Sequence, residues 1–154
     1  MEEGVTIIEL KGEPALFVRR VASIAELPTV INQGLNSILV YIERAKGEHT
    51  ATLFTRFNSL DLNHFDVEVG VSTRMELKGE GEIQTGWITA GLAAEARYKG
   101  AYSAIVMTYN YITEWIEKNG YAIDGPFYEM YPEPPEGMLE EELLTRVVVP
   151  VKKR

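Results

Sequence analysis

Hydrophobic and polar positions alternate along this chain in two registers, and they do so twice. The openings "VTIIEL" and "EPALFVRRVAS" are apolar-rich, and the intervening "KGEP" carries turn chemistry, so the pattern predicts a hairpin. From about Glu26 to Ala45 the period lengthens: Ile31, Leu35, Ile38, Leu39 and Ile42 recur on one face of an amphipathic helix. Pro28 suits its first turn and Gly47 its C-terminal cap. Strict alternation returns in "HTATLFTRF" and "FDVEVGVST", two strands parted by the turn-rich "NSLDLN".

The order then recurs. After the polar "MELKGEGEIQ" comes the long strand "GWITAGLAAEARYKG", where the interior glycine and alanines predict a bend or close packing. A helix from about Ser103 to Lys118 carries Ile105, Tyr109, Ile112 and Ile116 on its core stripe and stops at "NG". The strands "PFYEMY" and "LLTRVVVPV" close the chain, separated by a proline-rich acidic loop, "PEPPEGMLEE". "LFTRF" aligns with "FYEMY", and "VEVGV" with "VVVPV", which places Glu129 at the position of Thr55, or of Arg56 after a slip of one residue. A twofold repeat of strand–helix–strand–strand, over about residues 1–72 and 84–151, accounts for this. The expected fold is one α+β domain across residues 1–154, with an antiparallel sheet, two long helices and a ligand groove between the halves.

Composition narrows the chemistry. The 154 residues are 45% hydrophobic and hold no cysteine, so neither a disulfide framework nor a thiol nucleophile is available. A net charge of −8 with scattered basic residues argues against nucleic acid as a partner. No apolar run reaches bilayer length and no signal peptide is visible, so a cytoplasmic location is expected. His49 and His64 stand apart from any metal-ligand spacing, and no metal or cofactor is expected. One carboxylate stands out: Glu129, bracketed by Phe127, Tyr128, Met130 and Tyr131. Alternation puts Phe127, Glu129 and Tyr131 on one face. Burying a charge between rings is costly without a partner, so either that face is wet or the partner comes from outside. Aromatic faces around one acid suit a lipophilic cation.

The run "YKGAYSAIVMTYNYITEWIEKNGYAIDGPFYEMY", followed by "LTRVVVPV", resembles the GyrI-like small-molecule-binding domain, which is also the effector-binding half of several multidrug-responsive transcription regulators. The resemblance rests on Gly100 and Tyr102, Trp115 and Ile116, Gly125, Pro126, Glu129 and Tyr131, and finally Pro150 and Val151, with Ala101 standing where many members have proline. It implies a duplicated β-α-β-β (SHS2-like) fold and a ligand groove in which Glu129 meets aromatic cations. It also implies, as an alternative, a hydrolase of cyclopropane-bearing natural products with Glu129 as the catalytic base. A third possibility is an acidic module that binds and inhibits a protein partner. With both repeats accounted for, a stand-alone binding domain without a DNA-reading unit is expected. The candidate ligand contacts are Glu129, Tyr131, Tyr102, Trp87, Phe57, Tyr111 and Trp115.

Overall fold

The computed structural model describes residues 4–59, 61, 63–100, 105–131 and 144–154, the side chain of residue 51 excepted. Its elements run β1 (Thr6–Ala22), α1 (Leu27–Arg44), β2 (His49–Phe57), β3 (Phe65–Thr73), β4 (Gln84–Lys99), α2 (Ile105–Lys118), β5 (Tyr121–Ile123), β6 (Phe127–Tyr131) and β7 (Leu144–Lys153). All strand pairings are antiparallel, giving the α+β architecture expected from the alternating periods. The loop "PEPPEGMLEE" and Tyr102 lie outside the described residues.

The sheet order is β4-β1-β3-β2-β6-β7-β5, and β4 also pairs with β7. Six strands therefore form a hydrogen-bonded ring, which leaves few free edges to protect. Period-two alternation sends one set of side chains outward to the helices and the other inward. The outward set includes Leu16, Val18, Val67, Val69, Val71, Val147 and Val149, packed with Ile31, Leu35, Ile38, Ile105, Ile112 and Ile116. The inward set is smaller: Ala15, Phe54, Ile88, Ala93, Tyr128, Met130 and Val148. Helix α1 covers β1, β2 and β3, whereas α2 covers β4, β5 and β7. Strand β6 falls at the seam between them.

Two local expectations are corrected. "KGEP" does not reverse the chain, because β1 is one strand of 17 residues. Its partner is β4, paired from Thr6↔Glu95 to Phe17↔Gln84 on both sides of the turn-like residues. Gly12 instead takes a positive φ of 77° and bends the strand, which only a residue without a Cβ does cheaply. A local turn signal loses when a distant strand can pair with both flanks. At the end of α1, the left-handed residue is Lys46 (φ 56°) rather than Gly47. Gly47 donates its N–H to the Ile42 carbonyl, and a Cβ there would sit 2.6 Å from Leu77 Cδ1. Backbone handedness does not require a glycine there, and the nearest obstacle to a Cβ is the movable end of the Leu77 side chain. At the start of the same helix, Ser23 and Glu26 exchange the two bonds of a capping box: Ser23 N–H to Glu26 Oε1 at 2.9 Å and Glu26 N–H to Ser23 Oγ at 3.4 Å. Strand β5, short and set against Lys153–Val151 of β7, was not foreseen from the pattern.

Candidate functional site

Strand β6 enters after the Gly125–Pro126 break and pairs with β2 on one side and β7 on the other. Thr55 lies directly across from Glu129 on β2, and Val147 across from it on β7. All five residues of β6 are buried. Its alternation is the one expected: Phe127 and Tyr131 join the helix-side core, while Tyr128 and Met130 join the interior of the ring. Glu129 belongs to the helix side and is wholly inaccessible, at 0% exposure.

Its carboxylate is held by hydroxyls. Tyr98 donates to Oε2 at 2.6 Å, and Tyr131 donates to Oε1 at 3.0 Å. The Tyr131 oxygen also lies 2.8 Å from the Thr55 hydroxyl, so with its one proton given to Glu129 it accepts from Thr55. Among the described residues, no Lys, Arg or His forms an ion pair with Glu129. Burial therefore dominates and pushes its pKa up to about 7, while the two tyrosine hydroxyls oppose the shift. Near neutrality the group exists in both forms, a state suited to answering a cation or passing a proton.

Rings stand beside it. Phe57 stacks on Phe127 with centroids 4.7 Å apart and planes 2° from parallel, and Phe127 in turn meets Tyr109 of α2 at 4.7 Å. Phe65 caps the stack edge-on against Phe57 at 5.8 Å. Of the sequence-derived candidates, the fold thus places Glu129, Tyr131 and Phe57 on one face of adjoining strands. Trp87, Tyr111 and Trp115 lie elsewhere, and Tyr102 is outside the described residues. Trp87 is exposed on β4 opposite Pro14, and its carbonyl accepts from Arg56 at 2.9 Å. Tyr111 and Trp115 line a cleft of about 190 Å³ on α2 with Glu114 and Lys118, where Trp115 also stacks on Tyr121 at 6.4 Å.

Sequence reasoning did not single out Tyr98, the shortest contact to the carboxylate. Alternation in "AEARY" offered a signal, since Ala94, Ala96 and Tyr98 share the helix-facing side of β4. Thr55 was noted only as the repeat counterpart of Glu129, yet it is the cross-strand neighbour. Among the described residues no group of three His, Asp or Glu comes together to hold a metal ion. No helix among them is long and apolar enough to cross a membrane.

The C-terminal domain of EcmrR superposes with a TM-score of 0.81 at 22% identity, covering 100% of each chain. In the EcmrR–DNA complex the TM-score is 0.84 at 22% identity, with 97% of this chain covered but only 57% of that one. A hydrolase from Listeria innocua gives a TM-score of 0.68 at 14% identity, over 97% of this chain and 92% of that one. SAV2435, solved bound to tetraphenylphosphonium, gives 0.66 at 12% identity, over 97% and 94%. At these identities the likeness is one of fold. A search among curated proteins found no significant match. The model of the GyrI-like small molecule binding domain matches residues 4–152, and the chain belongs to that family.

Proposed function

We propose that this domain binds hydrophobic, aromatic, cationic small molecules at the seam between its helices, with Glu129 as the counter-charge. One observation carries the reading: a carboxylate at 0% exposure whose only hydrogen-bond partners among the described residues are the hydroxyls of Tyr98 and Tyr131. Two neutral donors leave an ionised acid under-compensated in a low dielectric. A cation with aryl surface supplies the missing charge, and rings at the site add area and cation–π attraction. The complex of SAV2435 with tetraphenylphosphonium supports the choice of ligand class by analogy of fold.

A ligand reaching Glu129 must displace side chains that now enclose it. Tyr131 and Phe57 are the favoured ring contacts, because they share its face on β6 and β2. Trp87, Tyr111 and the half-buried Trp115 stand further out, on β4 and the outward cleft of α2. Calorimetric titration of tetraphenylphosphonium and neutral triphenylphosphine oxide against the wild type and Glu129→Gln tests the reading. Loss of one partner of a desolvated charge pair costs about 2–5 kcal/mol, so the cation weakens roughly 30-fold or more. The neutral compound binds the variant as well as or better than the wild type. An equal loss for both ligands overturns the proposal.

A hydrolase reading draws on the same carboxylate, because a pKa raised to about 7 suits general acid–base chemistry. It separates cleanly: Glu129→Gln would then abolish turnover while a neutral substrate still binds. The chain spans 57% of the EcmrR chain seen on DNA. With a net charge of −8, we expect no duplex binding by this chain at physiological salt, and a salt-dependent gel shift at micromolar protein would contradict that.

A further inference from the structure

On the face of β6 opposite Glu129 lies a second cavity, of about 420 Å³, within the range of sites that enclose a ligand. Its floor is apolar, formed by Ile8, Leu10, Ile88 and Met130, and its far wall holds Thr52 and the Glu95–Arg146 pair. The near wall is unusual: it is made of residues 8–13, an unbroken run of β1. Consecutive strand residues point to opposite faces, so a run that borders a cavity at every position borders it with its edge.

The pairing register agrees. Strand β1 pairs with β4 from Thr6 to Phe17, but with β3 only from Ala15 to Ala22. Ahead of Ala15 the Pro14 carbonyl still accepts from Thr73 Oγ1 of β3 at 3.4 Å, but along residues 8–13 that edge of β1 has no strand beside it among the described residues, and no hydrogen bond among them reaches its outward N–H and C=O groups. A free strand edge is a template for another strand. Here that edge sits beside an apolar trough, with charged groups of both signs around it: Lys11 and Arg146 against Glu13 and Glu95.

We infer that residues 8–13 of β1 take up an extended peptide segment of a partner protein by strand addition, with the peptide's alternate apolar side chains seated on Ile8, Leu10 and Met130. Main-chain bonds to the free edge supply affinity, and the trough selects large apolar side chains at every second position. This site is separate from that of the cation: Glu129 faces the helices, whereas Met130 faces this cavity.

The probe is a capped heptapeptide, Lys-Val-Thr-Leu-Thr-Val-Lys, and its analogue N-methylated at the five central residues, which keeps the side chains but removes the edge donors. Amide hydrogen exchange on the whole chain reads the contact. The expected result is at least tenfold slower exchange at outward amides within residues 8–13 with the first peptide, and at least tenfold weaker binding of the second. Thr52→Trp, which fills the trough from the far wall, weakens the heptapeptide at least fivefold and leaves tetraphenylphosphonium binding unchanged. Equal binding of both peptides, or unchanged exchange at 8–13 at saturating heptapeptide, overturns the inference. So does sedimentation showing a dimer whose own edges protect these amides. If Thr52→Trp does not fold, the exchange pattern of the unmodified chain decides.

Discussion

Glu129 and Glu95 are both buried glutamates on strands of one ring, at 0% and 7% exposure, yet their chemistry differs. Glu95 looks away from the helices and accepts from three guanidinium donors: Arg97 Nε at 3.0 Å, Arg146 Nε at 3.0 Å and Arg146 Nη2 at 3.2 Å. Burial works against its charge, but the arginines win and hold its carboxyl below the ordinary range. Glu129 looks toward the helices, finds only tyrosine hydroxyls among the described residues, and its pKa rises to about 7. One carboxylate is matched by guanidinium groups; the other, among the described residues, is met by neutral hydroxyls. The difference marks Glu95 as a structural ion pair and is what the proposed role of Glu129 rests on, since burial alone does not tell the two apart.

The sharpest way to break this comparison is the pH dependence of cation affinity. Ionisation about pH 7 leaves roughly 1% of Glu129 charged at pH 5 and about 90% at pH 8. Tetraphenylphosphonium should therefore bind about 100-fold more tightly at pH 8 than at pH 5, releasing a proton below pH 7. In Glu129→Gln the profile should be flat, and in Glu95→Gln it should keep the wild-type shape. A flat wild-type profile would place the charge elsewhere.

Stability should respond next, and in opposite senses. The folded pKa of Glu129 lies above the ordinary 4.5, so the native state holds the extra proton between those values. That contribution to stability is complete below pH 4.5 and is lost as pH rises through about 7, amounting to about 3 kcal/mol. Glu129→Gln should accordingly be more stable than the wild type at pH 8, with the gain vanishing by pH 4.5 in urea titrations. Glu95 carries the reverse sign. Its contribution is present above pH 4.5 and fades as pH falls through its lowered folded value. Glu95→Gln should cost about 1–3 kcal/mol at pH 7, discounted because the Arg97 and Arg146 side chains are 46% and 34% exposed. Stability equal to the wild type would show the pair to be incidental.

The smallest effect refines rather than tests the contrast. Tyr98→Phe removes the 2.6 Å donor to the charged form of Glu129. The midpoint of the cation-binding profile should move up by about one pH unit, as loss of a hydrogen bond to a charged group predicts. Tyr111→Ala, on the outward cleft of α2, should leave that midpoint in place. A shift in the second variant and none in the first would relocate the site toward α2.

Much of this fold could be read in advance because its signals are local. Helix α1 was expected at Glu26–Ala45 and runs Leu27–Arg44, and β2 and β3 occupy the runs "HTATLFTRF" and "FDVEVGVST" as anticipated. In each, the period of the apolar residues reports which side is buried, and that needs no knowledge of the neighbour. The face of Glu129 and its aromatic company were legible for the same reason. What the chain could not announce was pairing. Whether "KGEP" turns or merely bends depends on β4, some 75 positions downstream, being able to pair with both flanks. Whether Glu129 meets an arginine or a tyrosine depends on which residues of β4 and β2 the ring brings beside β6. Alternation assigned Tyr98 a side, but only closure of the ring through β7 set its hydroxyl on the carboxylate. Side-chain direction is a property of neighbouring residues, whereas the partner of a buried charge is set by contacts between residues far apart in the chain.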